Sequence, residues 1–204
     1  MKLYYAPGTI SIASAIALHE AGLEFTSRAV DFAAGEQTRP AYLAINPKGR
    51  VPVLDIDGTL LTETGAILEY IATVAPEAGL MPEATLDAAH VRAVMYYLAS
   101  TMHPNHAHKM RGHRWANEAA SLADMTAKVP ETMTASAQYV EDHCLRGPLV
   151  NGATISIADP YLFVVCSWLE GDGVDLGAFP KIRAFCAAME ERASVRTVSA
   201  AGML

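Results

Sequence analysis

The sequence has few basic residues and few cysteines, and both shortages narrow its possible functions. Lys and Arg number 15 against 22 Asp and Glu, so the formal net charge of −7 leaves no broad basic surface for a nucleic-acid backbone. The three cysteines, Cys144, Cys166 and Cys186, form no CxxC pair and are odd in number, which argues against a disulfide framework. We interpret each as a small buried hydrophobic residue in reducing surroundings.

Long apolar runs are also absent, because charged or polar residues interrupt each run well short of a membrane span. Residues 1–5 are β-prone and do not have the pattern of a secretion signal. With 51% hydrophobic residues, 204 residues can bury one sizeable core or two smaller ones that share an interface. We therefore expect a folded cytoplasmic protein that binds neither membranes nor nucleic acid.

The first 75 residues alternate between strand and helix signals. A strand at residues 2–5 precedes a Pro-Gly loop, a helix over residues 11–21 that stops at Gly22, and a strand over residues 25–30. Two strands joined by a helix in this way pair in parallel. This unit is half of a thioredoxin-like fold.

The rest of this segment predicts an antiparallel hairpin and a closing helix. A short helical stretch ends near Ile45, and strands over residues 51–56 and 59–61 flank Asp57-Gly58, the favoured pair for a two-residue hairpin turn. A helix over residues 65–72 ends before Pro76. The order βαβ, α, ββα predicts an α/β, thioredoxin-like domain over residues 1–75.

The remaining sequence predicts an all-α domain. Residues 76–86, with two prolines and a glycine, indicate a linker, and residues 87–204 show helical periodicity without a convincing strand. We expect helices over about residues 87–111, 117–144 with a break near Pro130, 156–170 and 180–193.

Four short motifs in this order resemble those of the cytosolic glutathione transferases, and of these the bacterial beta class is the best match. The motifs are Tyr5-x-Pro7-Gly8 with Ser11, Asn46-Pro47-Lys48-Gly49-x-Val51-Pro52, Leu61-x-Glu63-Thr64-x-Ala66-Ile67 and Ser156-Ile157-Ala158-Asp159. Each is weak alone, but together they cover nearly the whole chain at matching spacings. The resemblance implies a detoxifying transferase that uses glutathione as co-substrate, forms a homodimer and binds a small hydrophobic electrophile between its domains.

The resemblance assigns peptide binding to two places. At Val51-Pro52 it implies a cis bond that presents the Val51 backbone to the cysteinyl unit of glutathione, and a cis X-Pro bond costs only about 0.5–1 kcal/mol. At Glu63-Thr64 it implies that Glu63 takes the γ-glutamyl ammonium and Thr64 the carboxylate, where a helix start independently favours an anion. The alternatives are an ordinary trans proline and a helix cap beside a solvated charge.

Glutathione chemistry requires the thiolate, whereas a thiol with a pKa of about 8.5 is only slightly ionised at neutral pH. Lowering that pKa by about two units takes about 2.7 kcal/mol, which a hydrogen bond to the charged sulfur and a helix N-terminus can supply together. A hydroxyl near the start of the first helix suits this role. The candidates are Ser11, then Thr9, and Tyr5, and the alternative for Ser11 is a simple N-cap.

Ile10 stands where beta-class enzymes typically carry a cysteine. Isoleucine forms neither a mixed disulfide nor a hydrogen bond, so cysteine-dependent reductase or dehalogenase chemistry is not expected. Conjugation by a hydroxyl-stabilised thiolate remains open. So do a non-catalytic glutathione- or ligand-binding protein and, less favoured, a scaffold that has lost glutathione.

The histidine-rich segment from His103 onwards is the candidate contribution of the second domain. The resemblance matches His103 to a histidine that projects towards the sulfur, and imidazoles can handle a proton near neutral pH. Tyr5, Met102, His106 and Met110 are candidate walls of the electrophile pocket. No acidic or cysteine ligand lies near these histidines in the sequence, so we expect no metal. Pro104 predicts a kink, and Ser156-x-x-Asp159 predicts a capping box.

Overall fold

The structure is a computed structural model that describes all 204 residues, Met1–Leu204. Contacts divide the chain into two compact units: unit 1 is Met1–Glu83 with Glu190–Leu204, and unit 2 is Ala84–Met189. The strands are β1 (Lys2–Tyr5), β2 (Thr26–Ala29), β3 (Val53–Ile56) and β4 (Thr59–Thr62). The helices are α1 (Ser11–Glu20), α2 (Pro40–Leu43), α3 (Thr64–Val74), α4 (Thr85–Tyr97), α5 (His103–Arg111), α6 (Ala119–Tyr139), α7 (Ala158–Cys166), α8 (Pro180–Glu190) and α9 (Ala193–Ala200). None of them combines the length and hydropathy that a membrane crossing requires.

Unit 1 contains a four-stranded sheet in the order β2-β1-β3-β4. β1 pairs with β2 in parallel, and the β1–β3 and β3–β4 pairs are antiparallel. Asp57 and Gly58 both have positive φ angles, 50° and 91°, as the tightest hairpin turn requires. The predicted thioredoxin-like order βαβ, α, ββα is confirmed.

The C-terminal segment packs on α1, although the sequence analysis assigned it to the helical domain. α9 buries Val195 and Val198, and α1 and α9 are in contact. The Glu20 carboxylate at the end of α1 accepts two hydrogen bonds from Arg192, at 2.6 and 2.7 Å, and one from Ser194. A helical period shows that a segment has an apolar face but does not show which element covers it.

Unit 2 is a helical bundle in which every residue of α7 is buried. The Asp159 carboxylate, fully buried, accepts bonds at 2.7 Å from the Val150 N–H, the Ser156 N–H and the Ser156 hydroxyl. Only half of the predicted capping box therefore forms, because the Ser156 hydroxyl donates to the carboxylate. The N-cap position belongs to Ile157, one residue later.

Two expectations about proline need correction or refinement. The predicted break near Pro130 is wrong, because α6 runs through it; Pro130 lies on the exposed side, and Val129 and Met133 are buried on either side. The carbonyl of Thr126, which loses its partner, belongs to an exposed residue and can be hydrated. Beside Pro104 the chain forms a wider π-type turn over Leu98–Met102, which joins α4 to α5.

Candidate functional site

The first candidate group lies on the loop between β1 and α1. The Ala6 N–H donates to the Ser11 hydroxyl at 3.1 Å, and the Ser11 and Thr9 hydroxyl oxygens are 2.7 Å apart. Ser11 is 0% exposed and does not cap α1, whose N-cap residue is Ile10. As placed, Ser11 therefore offers no surface to a ligand, whereas Thr9 is partly exposed at the outer end of this hydrogen-bonded chain.

No negative charge lies at the start of α1. Its first turn has no acidic residue, its N-cap residue Ile10 makes no side-chain hydrogen bond, and the neutral Thr9 hydroxyl accepts from the Ser11 N–H at 3.4 Å. Ile10 is nearly buried at 6% exposure, and Tyr5 lies half-buried at the end of β1. A helix end of this kind favours an anion such as a thiolate.

The second candidate group is the turn that leads into β3. The Val51–Pro52 peptide bond is cis, as predicted, and both residues are buried. The Arg50 carbonyl accepts hydrogen bonds from the Tyr42 hydroxyl at 2.8 Å and the Asn46 amide at 2.7 Å, which fixes the turn. Burial raises the pKa of Tyr42 to about 12, so its hydroxyl remains a donor at neutral pH. The N–H and C=O of Val51 form no hydrogen bond within the protein and can pair with an extended peptide.

The third candidate group joins β4 to α3. Glu63 has φ 74° and ψ 122°, and the only other non-glycine residue with positive φ, Asp57, lies in a hairpin turn that requires it. Backbone strain without such a local cause is typical of functional sites. Glu63 is exposed, Thr64 begins α3 with 8% exposure, and no side chain caps this helix.

Lys48 belongs to this group, although the sequence analysis gave it no role. Its ammonium donates to the Thr62 hydroxyl at 2.7 Å and pairs with the Glu63 carboxylate. Lys48 belongs to the motif that begins at Asn46. Only the folded chain, however, brings Lys48 beside Thr62 and Glu63, which lie 14 and 15 positions later. A positive and a negative side chain therefore lie next to the free start of α3.

A separate cluster lies in unit 2. His106 Nδ1 is 2.6 Å from the Asp172 carboxylate, and its ring stacks on Trp168 with centroids 4.2 Å apart. His103 contacts the same indole at 5.1 Å. The sequence analysis missed Asp172 and Trp168, because they lie more than 60 positions beyond His106. The expectation that these histidines lack an acidic neighbour was wrong for His106.

The remaining predicted pocket residues differ in their exposure. Met102 is 0% exposed and, as placed, offers no surface to a ligand. Met110 is 77% exposed, and His106 and Tyr5 are partly exposed. No group of three or more His, Cys, Asp and Glu side chains is arranged to hold a metal ion.

Comparisons with known proteins identify the family of the chain. Residues 1–73 match the family model described as glutathione S-transferase, N-terminal domain. The chain is 33% identical to glutathione S-transferase GstA of Escherichia coli, with 100% of each chain covered. It is 33% identical to maleylacetoacetate isomerase of Pseudomonas aeruginosa over 90% of this chain and 88% of that protein.

A solved structure extends the likeness to three dimensions. A glutathione transferase homologue from Sulfitobacter, crystallised with bound glutathione, shares 60% identity and a TM-score of 0.98. That match covers 100% of this chain and 98% of the other. Because the chain matches a glutathione S-transferase over its full length and shares the fold of the solved homologue, it belongs to the glutathione S-transferase family.

Proposed function

We propose that this protein conjugates glutathione to small hydrophobic electrophiles and holds the tripeptide on unit 1. The observation that carries the proposal is the strained backbone of Glu63, which brings an exposed carboxylate beside the uncapped start of α3. Glu63 takes the γ-glutamyl ammonium, and the N–H and hydroxyl of Thr64 take the adjacent carboxylate. The unpaired backbone of Val51, fixed next to Pro52, pairs with the cysteinyl unit.

Lys48 does not block this arrangement. The side chains of Lys48 and Glu63 are 41% and 70% exposed, and a surface ion pair of this kind contributes only about 0–1 kcal/mol. The ligand ammonium can therefore replace Lys48 at Glu63. The lysine is then free to face the ligand's own negative charge.

The thiolate is stabilised at the start of α1, with Thr9 as the donor. A chain of donors runs from the Ala6 N–H through the Ser11 hydroxyl to the Thr9 hydroxyl, and each bond polarises the next. Thr9 also contacts the Ala6 carbonyl at 2.8 Å, and a thiolate replaces that acceptor. A hydrogen bond to a charged group contributes about 1.5–3 kcal/mol, and the helix end adds to it.

The second candidate function is glutathione binding without conjugation. Ile10, in the position next to Thr9, is the observation that favours it, because its side chain takes no part in thiol chemistry. The family resemblance further leads us to propose a homodimer. The three unpaired cysteines fit a reducing cytoplasm as the place where the protein works.

Calorimetric titration of glutathione tests the binding assignment. We expect Glu63→Gln to weaken binding at least about tenfold, because the ammonium loses its anionic partner. Glu77→Gln, which changes another exposed acid beyond the other end of α3, is the matched control and should bind like wild type. Wild type that takes up no glutathione, or equal affinities for the three proteins, would contradict the assignment.

A chlorodinitrobenzene conjugation assay on the same samples separates the two functions. We expect Thr9→Val to lower kcat/KM about 10–100-fold through the lost hydrogen bond, and Thr9→Ser to retain most of the activity. Glutathione binding without turnover of several electrophiles would favour the binding protein instead. Equal activity of the valine and serine variants would remove Thr9 from the mechanism.

A further inference from the structure

Within unit 1, the segment that follows α9 reaches back to the loop between β1 and α1. The Gly8 N–H donates to the Met203 carbonyl at 2.9 Å, and Met203 is only 5% exposed. Gly8 has a positive φ of 68° and directly precedes Thr9, the proposed donor to the thiolate. A backbone bond therefore joins the end of α9 to the residue next to that donor.

The Met203 carbonyl is directed by the way in which α9 ends. The Gly202 N–H donates to the Ser199 carbonyl at 2.9 Å. The Met203 N–H donates to the Val198 carbonyl at 3.0 Å. With Gly202 at φ 67°, these two bonds form a Schellman cap, the left-handed turn that commonly closes a helix. This cap turns the chain out of the helix and places the Met203 carbonyl at Gly8.

The opposite end of α9 is also attached to α1. Arg192, just before α9, donates to the Glu20 carboxylate at 2.6 and 2.7 Å, and Glu20 is the last residue of α1. Val195 and Val198 on α9 are buried, and the two helices are in contact. The helices therefore run antiparallel, and α9 is fixed at both ends of α1.

The bond from Gly8 to Met203 differs from the bonds that the loop makes with itself. The Thr9 N–H donates to the Ala6 carbonyl at 3.3 Å, and the Ala6 N–H donates to the Ser11 hydroxyl at 3.1 Å. These bonds link residues within five positions of each other, so they shape the loop. The Met203 carbonyl instead ties the loop to a separate helix that packs on α1.

We propose that Met203 is a positioning residue whose carbonyl, through the Gly8 N–H, holds the Thr9 hydroxyl in place at the start of α1, an inference that rests on the proposed transferase function. A donor fixed before the ligand binds stabilises the developing charge without reorganisation during the reaction. Hydrogen bonds weaken steeply when their angle falls below about 120°, so a displaced loop would stabilise the sulfur poorly.

Gly202→Val tests this role without touching the loop itself. A β-branched residue strongly disfavours positive φ, so the substitution should displace Met203, and no atom lies within 4 Å of the new Cβ. We expect the thiol pKa of bound glutathione to rise by about one unit, and kcat/KM at neutral pH to fall up to about tenfold. Gly202→Asn should resemble wild type, because asparagine tolerates the left-handed conformation.

Ultraviolet absorption of the thiolate, followed against pH in the complex with glutathione, gives the thiol pKa directly. Gly22→Val is the matched control for a general loss of stability. Gly22 closes α1 with the same pair of cap bonds, has φ 64° and no atom within 4 Å of its Cβ position. It lies at the opposite end of α1 from Thr9. Gly22→Val should lower Tm as Gly202→Val does, but leave the thiol pKa and kcat/KM unchanged.

A second variant removes the carbonyl itself. Deletion of residues 203–204 should raise the thiol pKa as Gly202→Val does, and it answers the question if the valine variant fails to fold. An unchanged thiol pKa in Gly202→Val and in the shortened chain would overturn the inference. An equal rise in Gly22→Val would do so too, because loss of stability alone would then explain it. Failure of the transferase proposal is distinguishable, because wild type would then bind no glutathione or leave its thiol pKa at about 8.5.

Discussion

Glu63 permits a sharp test, because its backbone and its side chain have opposite effects. At φ 74° and ψ 122° a non-glycine residue costs about 1–3 kcal/mol, whereas glycine adopts positive φ freely. Against this, glycine loses about 0.5–1 kcal/mol through the entropy of the unfolded chain, and the exposed Lys48 pair contributes about 0–1 kcal/mol. When the central value of each range is taken, the relief of backbone strain is larger than the two losses together. Glu63→Gly should therefore raise the free energy of unfolding by about 1 kcal/mol.

Thermal denaturation with and without glutathione is the assay. For a chain of this size, about 1 kcal/mol raises Tm by about 2–4 °C. Glutathione at a hundred times its Kd stabilises wild type by about 2.7 kcal/mol, and Glu63→Gly should lose most of that ligand-dependent shift. Asp57→Gly also replaces an acidic residue of positive φ with glycine, here in the hairpin turn, where φ is 50°. It should leave the ligand-dependent shift in Tm unchanged.

Glu63→Gln completes the test, because it keeps the strained backbone and removes the charge. We expect its Tm to lie below that of Glu63→Gly, while both variants lose the response to glutathione. If Glu63→Gly melts below Glu63→Gln, the strain argument is wrong. If it keeps the full glutathione shift, the carboxylate has no role in binding.

Three further predictions concern stability. Burial acts to raise the pKa of Glu20. Hydrogen bonds from Arg192 and Ser194, together with the positive charge of Arg192, outweigh this effect and lower the pKa overall. The carboxylate therefore stabilises unit 1 above its unfolded-state pKa, and this contribution is lost as pH falls through the lower folded-state value. Glu20→Gln should lose about 2–3 kcal/mol at neutral pH, because Arg192 remains 31% exposed, and urea titrations should show the deficit shrinking in acid. The two oxygens of Asp159 accept from three buried donors, and Asp159→Asn replaces one of these oxygens with an NH2 group, so it should cost at least about 2 kcal/mol in urea denaturation. Gly49→Ala strains a φ of 62° and places Cβ 3.0 Å from a backbone oxygen, so its Tm should fall below that of Gly79→Ala, where φ is 65° and no atom lies within 4 Å.

The fold of unit 1 is largely predictable, because its signals are local. Gly22 ends α1 at φ 64°, and Asp57-Gly58 makes the hairpin turn through two positive φ angles. Each signal acts within a few residues and needs no knowledge of distant contacts. The packing of α9 on α1 cannot be predicted in this way, because the Glu20–Arg192 pair that joins them spans 172 positions.

Ser11 shows that a correctly predicted helix start does not determine where a side-chain hydroxyl points. The sequence places Ser11 at the beginning of α1, and the structure agrees. Its orientation depends on the preceding loop, where the Ala6 N–H draws the hydroxyl inwards and full burial follows. Thr9, two residues earlier, has the outer position, and no pattern of residue types distinguishes these two placements.

The proposed glutathione site and the cluster in unit 2 therefore differ in what a sequence can show. The tripeptide side depends on backbone groups at Val51 and on the adjacent pair Glu63-Thr64, so a short motif is enough to identify it. The cluster in unit 2 depends on one pair of side chains, His106 and Asp172, that are 66 positions apart. No local pattern of residues indicates such a pair, so it becomes visible only in the folded structure.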